Sequence, residues 1–561
     1  MTPPPRWLLA VHEDTNANAT LFRDGRVVFA LAEERLTRDR FAGGFPAQAV
    51  QAALAFAGIE LADVDAVLPA NRHHFLPRLA PQLITGEEHD FFGPKHKAWL
   101  YFQHLMARNP AVAWATAALS NSLLQRKKLP RLLDTVDHHT AHAASAWLTS
   151  GWDQCLCVTA DNMGDGWSSK VFTAGPQGLQ FQYGSTARHS PGQFYGEIAQ
   201  LLGFHNLLAG KVTGLAAHGD PAVAYALVAS LFGLDDAGRA FTSPGLWWRH
   251  KHLGAYRALA HHQPANVAAA AQRRLEDVMV RYVQTAVRET GQRRVALAGG
   301  VFANVVVNQR ILALPEVEAV WVHPAMTDQG ISMGAGLLHL RDAHGVAGMP
   351  MDHVFLGPEP AESAMGAALE AAQLRFERPA ELSERAAQAL AAGKVVARFA
   401  GRLEYGPRAL GNRSILAPAH DPRINQWLNA RLRRSEFMPF APVTLWQHRH
   451  EGYLGLQGGE DAARFMTMTF GVTDALRAQS AGVVHLDGTA RPQLLREQDN
   501  PGYYAILRRY AELTGTPTLV NTSFNLHSEP IVCTPEDGIA AFRTGGLDAL
   551  ILGPFWVAPR Q

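Results

Sequence analysis

Cysteine is scarce, with Cys155, Cys157 and Cys533 the three among 561 residues. So few cannot build a disulfide framework. Cys155 and Cys157 alternate within the apolar run Cys155 to Thr159 and are expected as two thiols on one buried strand face. Long hydrophobic runs are missing as well. No stretch of about 18 apolar residues occurs, and Trp7 to Val11, behind a proline-rich start, is too short for a signal peptide. A cytoplasmic chain without membrane contact is therefore expected. Charge of either sign is also not in excess: 51 basic residues against 50 acidic ones leave a formal +1, which supplies no field for nucleic acid or lipid. The His-Glu-x-x-His order of a common metallopeptidase class is absent too.

What is present describes a globular enzyme: 47% apolar and 18% charged residues, in a chain too long for one hydrophobic core. Glycine, proline and aspartate interrupt the helical pattern between Gly345 and Pro360, which marks a domain boundary. Trp7 to Val11 reads as a buried strand. Ala19 to Phe22 and Val27 to Ala30 read as a hairpin about Arg23 to Arg26. Helical patterns follow from Ala47 through Leu124.

The stretch from Asp137 to Trp147 carries the first chemistry. With Asp137 as N-cap and a helix from His138 onward, His138 and His142 project from one face at i, i+4 and can grip one metal ion, while His139 points about a quarter-turn away. A packed structural pair would look the same. Cys155 to Thr159 then runs as a strand into the acidic, glycine-containing turn Asp161 to Gly166, and strand–turn–strand units of this kind can bring backbone N–H groups and a carboxylate to phosphates and metal. Gly210 to Gly219 is a second glycine-rich turn, in which Lys211 could neutralise a phosphate. The strand Val295 to Ala298 ends in Gly299 and Gly300 and opens a helix from Val305 to Leu312, so a ligand can approach bare backbone at a helix N-terminus. Asp328, after the strand Val320 to Val322, is placed to complete a metal site with the histidines, or simply to form a turn.

Beyond the boundary the chemistry changes. The strand Val395 to Phe399 leads into a donor-rich loop, Gly401 to Ile415, where arginines beside glycines can fork onto phosphate or carboxylate oxygens. With Arg431 to Arg434, Thr489 to Gln493, and the strand Leu519 to Asn521 breaking into Thr522 to Asn525, these point to an anionic small-molecule site.

These motifs, in this order, resemble the O-carbamoyltransferase family that includes the tobramycin, nodulation-factor and cephamycin enzymes. The matching stretches are Glu33 to Arg35, Asp137 to His142, Asp161 to Gly166, Lys211 to Gly219, Gly299 to Val301, Asp328 to Gly330, Glu404 to Ser414, Phe437 to Pro442 and Asn521 to Val532. The resemblance implies an α/β protein of two domains. Residues 1–348 would be an actin/hexokinase-like domain that holds metal and nucleotide and transfers the carbamoyl group. Residues 349–561 would be a YrdC-like α/β domain that forms carbamoyl-adenylate. The implied metal ligands are His138, His142 and Asp328, with iron(II) or a similar divalent ion. ATP with magnesium is the implied co-substrate, beside carbamoyl phosphate and a hydroxyl-bearing small molecule, most naturally a secondary metabolite as in antibiotic biosynthesis.

Residue by residue, the expected catalytic groups are His139, to orient or deprotonate the acceptor hydroxyl, with Arg408, Arg413, Arg491 and Ser523. The expected binding groups are Asp161, Gly164, Asp165, Lys211, Gly299, Gly300, Asn304, Arg434, Asn521 and Asn525. No nucleic-acid or membrane partner is expected, and a homodimer stays open. Carbamoyl or threonylcarbamoyl transfer to tRNA or a protein is disfavoured by the neutral charge, and a non-catalytic nucleotide-binding module by the intact metal triad and arginine loop. The chain departs from its relatives at Thr15-Asn16, where many carry His-Asp, and at Ser528, where some carry glycine.

Overall fold

A computed structural model describes residues 3–71, 129–244, 253–433 and 437–558, with isolated positions between 105 and 115. Arg434, and most of the helical pattern expected between residues 72 and 124, lie outside the described residues. The chain forms two compact units. One comprises residues 1–33 and 42–351; the other comprises residues 34–41 and 352–561.

The first unit contains two sheets of the same connectivity. In the first, β1 (Trp7–His12), β2 (Asn18–Arg23) and β3 (Arg26–Ala32) form an antiparallel meander, and β4 (Ala66–Pro69) adds parallel to β1. The expected hairpin turn is made by Asp24 and Gly25, both at positive φ, +49° and +79°, as tight two-residue hairpins require. After helix α1 (His138–Ser150) the pattern repeats. The strands β5 (Cys155–Gly164), β6 (Trp167–Gly175) and β7 (Gly178–Thr186) form a meander, and β8 (Arg294–Ala298) and β9 (Ala319–Val322) add parallel beyond β5. A three-stranded meander extended in parallel on its first strand, twice over, agrees with the actin/hexokinase-type expectation.

Small residues set the packing around α1. In helix α2 (Ile331–His344), a Cβ on Gly334 would lie 2.0 Å from the Ala141 carbonyl oxygen and 2.9 Å from the Ser145 Cβ. Only glycine lets the two backbones approach that closely. The same approach brings the start of α2, and Asp328 just before it, to the histidine face. The segment Gly210–Ala216, expected as a glycine-rich turn, is instead a short helix that buries Val212 and Gly214 and packs along the 27-residue helix Pro264–Thr290. Tertiary packing overrides the low helix propensity of its glycines.

The second unit is built on one mixed eight-stranded sheet. In chain order its strands are β10 (Phe376–Glu377), β11 (Val396–Phe399), β12 (Arg413–Pro418), β13 (Ala441–Leu445), β14 (Gln493–Leu495), β15 (Thr518–Ser523), β16 (Ala549–Leu552) and β17 (Phe555–Val557). In space the order is β10-β17-β16-β11-β12-β15-β13-β14. One apolar layer, with Ala397, Phe399, Ile415 and Phe524, covers one face, and another, with Val396, Leu416, Tyr503 and Ile551, covers the other. Residues 34–41 belong here although they precede the first unit's bulk. Arg38 donates to the carbonyl oxygens of Pro530 and Ile531 at 2.8 Å, and Arg35 to that of Gly406 at 2.9 Å. Among the described residues no helix is long and apolar enough to cross a membrane.

Candidate functional site

The N-terminus of α1 is held from several directions. Asp137 is the N-cap: its carboxylate accepts from the Thr140 N–H at 3.0 Å, and Lys170 Nζ donates to it at 2.8 Å. Asp165, in the β5–β6 turn at φ +50°, accepts from the His138 N–H at 2.8 Å, a carboxylate well placed against the positive end of the helix dipole. On this base His138 and His142 point the same way, their ring centroids 4.8 Å apart. His142 Nε2 lies 3.1 Å from Asp161 Oδ2 and 3.2 Å from Asp328 Oδ1, and His138 Nε2 lies 3.6 Å from Asp328 Oδ1.

One ligand atom from each of His138, His142, Asp161 and Asp328 lies within 4.8 Å of all the others. Burial raises both carboxyl groups. Hydrogen bonds from His138 and His142 then carry Asp161 well below its usual range, while Asp328, facing the Asp161 charge, stays well above its own. Two carboxylates this close cannot both ionise unaided, and a divalent cation would take the place of the proton they otherwise share. Two imidazoles and two carboxylates are borderline-to-hard donors that suit zinc, iron(II) or a similar ion, so the residues fit the metal expected here. Asp161, expected only as a nucleotide-binding residue, stands as a fourth candidate ligand.

The glycines serve this cluster. A Cβ on Gly164 would lie 2.2 Å from the ring of His138, and one on Gly299, at φ +108°, 2.2 Å from the Ala160 carbonyl oxygen. The Gly300 N–H donates to Asp161 Oδ2 at 3.1 Å, so the strand-end glycines hold a ligand. Gly164→Ala is expected to push the His138 ring aside, cost about 1–3 kcal/mol of stability and weaken divalent-metal binding about 10–100-fold. Metal titration by calorimetry, alongside thermal unfolding, measures both.

His139, expected at the acceptor hydroxyl, packs inward. It is fully buried, its Nδ1 is 2.9 Å from Thr159 Oγ1, and its Nε2 donates to the Trp167 carbonyl oxygen at 3.0 Å. Burial, then the neighbouring His138 and Lys170, hold its pKa well below the usual imidazole value. The ring ties α1 to β5 and β6, and its burial favours the neutral form. Asn304 caps the helix Val305–Leu312 through the Val307 N–H and donates to Gln272 and Thr213. Lys211 lies in the short helix described above, its Nζ 5.8 Å from the Phe204 ring. On either side of Thr15-Asn16, His12 stands edge-on to His138, centroids 6.2 Å apart, and Asn18 Nδ2 donates to the Asp328 carbonyl oxygen at 2.8 Å.

In the second unit the loop from Glu404 to Ser414 is drawn tight from within. Glu404 Oε1 accepts the backbone N–H groups of Leu410, Asn412 and Arg413 at 2.8–3.1 Å. Gln493 Nε2 donates to the Leu410 carbonyl oxygen and Asn521 Nδ2 to that of Ala409, so Asn521, expected at a ligand, supports the loop from β15. Arg413 is completely buried. Its guanidinium stacks 3.6 Å from the Phe399 ring centroid, and Nη1 donates to the carbonyl oxygens of Ala400, Gly401 and Asn412. Its Nε and Nη2 have no partner among the described residues, and burial lowers its pKa to about 10 despite Glu404. The start of β12 pairs with the end of β15, Ser414 opposite Ser523, which sets Ser523 beside Arg413; Arg408 lies five residues before Arg413 in the tightened loop. Asn525 is turned inward, donating to the carbonyl oxygens of Leu526 and Glu529. Arg491 follows the short strand Thr489–Ala490, and its charge acts on His485. Ser528 adopts φ +65°, a left-handed conformation that favours glycine.

One duplicated α/β unit with a buried His/Asp cluster and one α/β unit with a charged, pre-organised loop, in a single chain, have the build of a group transferase. Residues 10–337 match the family profile for the carbamoyltransferase N-terminus, and residues 387–559 match that for the carbamoyltransferase C-terminus. The chain belongs to the carbamoyltransferase family. It is 30% identical to nodulation protein NolNO of Sinorhizobium fredii over 97% of this chain and 78% of that one, and 33% identical to nodulation protein NolO of Bradyrhizobium diazoefficiens over 76% and 79%. Among solved structures, HypF in its phosphate- and nucleotide-bound form is similar at 11% identity and a TM-score of 0.35, over 62% of this chain and 57% of that one.

Proposed function

We propose that this carbamoyltransferase is an ATP-dependent O-carbamoyltransferase that works through carbamoyl-adenylate. In the second unit, water would cleave carbamoyl phosphate to carbamate and phosphate. A carbamate oxygen would attack the α-phosphorus of ATP, forming carbamoyl-adenylate and releasing pyrophosphate. In the first unit, an acceptor hydroxyl would attack the carbamoyl carbon, lose its proton and release AMP. The observation that carries this reading is Arg413, a sealed guanidinium bonded only to neutral carbonyls. Its Nε and Nη2 are unsatisfied among the described residues and Glu404 does not offset its burial; such a cation is costly, and an anionic substrate would meet those donors.

Arg408, on the same tightened loop, would hold phosphate oxygens, and Ser523 would hydrogen-bond the carbamoyl group. His138, His142, Asp161 and Asp328 would hold a divalent ion, iron(II) by family resemblance, which when bound supplies Lewis-acid polarisation of substrate oxygens. Lys170 and Asp165 fix the helix end that carries the histidines, and His139 is a positioning residue for the same helix. The acceptor would be a hydroxyl-bearing small molecule.

Carbamoyl-phosphate-dependent exchange of labelled pyrophosphate into ATP tests the activation half, and mass spectrometry of acceptors for the added carbamoyl group tests the other. Wild-type protein is expected to catalyse the exchange, and Arg408→Ala to lower it at least about 100-fold. No exchange above background in wild-type protein would remove the adenylate from the scheme.

A further inference from the structure

The second unit holds another buried arginine that the scheme above leaves unused. Along β11 and β12, Phe399 pairs with Arg413 and Arg398 pairs with Ser414. Neighbours of this kind alternate faces, so one ladder carries a buried guanidinium on each side of the sheet. Arg398 is 7% exposed. Its Nη1 donates to the Gly411 carbonyl oxygen and to Asn412 Oδ1, and Tyr503 lies beneath it at 5.6 Å. These partners are neutral, and no described group accepts from its Nε or Nη2.

Arg398 lines a cavity of about 330 Å³, with Arg402, His353, Asn412, Asn500 and Pro501. The cavity sits at the N-terminus of the 14-residue helix Pro501–Thr514, whose cap Asn500 takes up the Tyr503 N–H. A Cβ on Gly502 would lie 3.3 Å from Arg398 Nη2, so the bare first turn leaves that donor open. The carboxylate on the cavity wall, Asp499, is already committed to Arg464 and Arg496, each at 2.9 Å. Arg402 Nε donates to the Gly357 carbonyl oxygen at 2.9 Å and Nη2 to that of Leu356, so Arg402 adds charge to the wall while Arg398, beside a helix N-terminus, brings donors to the same small space, which is the chemistry of an oxyanion site.

We propose that this cavity binds a phosphate-type oxyanion, inorganic phosphate or pyrophosphate, on the face of the sheet opposite Arg413. The site stands on Arg398 and its surroundings and does not depend on the adenylate scheme. Calorimetric titration of the full chain carrying Arg408→Ala, which weakens the other candidate phosphate site, reads it against that background. Pyrophosphate or phosphate is expected to bind this variant, acetate much more weakly. Adding Arg398→Met or, at a half-buried position, Arg402→Gln is expected to lower the affinity at least tenfold, and Arg402→Gln decides the matter if Arg398→Met does not fold. The assignment is overturned if the Arg408→Ala protein binds neither anion, if the folded double variants bind as it does, or if acetate binds as tightly as pyrophosphate. Pyrophosphate exchange in the Arg398→Met protein, measured alongside, keeps this result separate from the fate of the adenylate scheme.

Discussion

His142→Ala is expected to abolish carbamoyl transfer to an acceptor, by about 10³-fold or more, or roughly 4 kcal/mol of transition-state stabilisation, while pyrophosphate exchange continues near the wild-type rate. His142 Nε2 stands 3.1–3.2 Å from both carboxylates of the cluster, so its removal opens the arrangement at its centre. His138, which touches Asp328 only at 3.6 Å, should give a smaller loss. The check is paired: product formation by mass spectrometry, exchange with labelled pyrophosphate, and bound divalent metal by elemental analysis. Equal loss of both half-reactions, in a protein that still melts cooperatively, would argue against assigning them to separate units.

Glu404→Ala is the second large effect. Its Oε1 gathers three backbone N–H groups of the arginine loop, and the residue is 1% exposed. Hydrogen bonds to a buried carboxylate are among the stronger ones, and removing the acceptor leaves three amides without partners. A loss of about 4 kcal/mol is expected, seen as a lower urea midpoint for the second unit, with exchange lost as Arg408 and Arg413 drift from register. Glu404→Gln keeps the receiving oxygen and should lose only about 1–2 kcal/mol. An alanine variant within 1 kcal/mol of wild type would show that Gln493 and Asn521 hold the loop by themselves.

Much of this was legible in the sequence where the signal is local. His138 and His142 can be read as partners because four residues make one helical turn, and the hairpin at Asp24-Gly25 because its turn chemistry is contiguous. The strand ends at Gly299 and Ser523 were legible too. What escaped depends on distant partners. Asp161 reads as a binding residue of its turn, and its place as a candidate ligand depends on the fold bringing it to His142, 19 positions away, with Asp328 a further 167 along the chain. Asp165 and Gly164 looked like ligand-binding turn residues, yet their partner is the His138 helix end. His139 looked free because periodicity shows where a side chain points and not what meets it there. Lys211 was read in a turn because two glycines flank it, while the long helix beside it decides otherwise. Arg398 gave no sign at all, since an arginine in a short apolar strand carries no pattern of its own.

The excursion of residues 34–41 into the second unit has a consequence for how the protein is made. Arg38 leaves the ribosome 493 positions ahead of Ile531, whose carbonyl oxygen it holds. At about 5–20 residues per second, that pair waits roughly 25 to 100 s for its second member. The β1–β3 meander on one side of the segment can form almost at once, so the nascent chain must carry a charged, unsatisfied loop at its front throughout synthesis. A second half made alone, beginning at Asp352, would never receive that loop. Supplying a peptide spanning residues 34–41 to such a fragment would then be a form of complementation built into the order of translation.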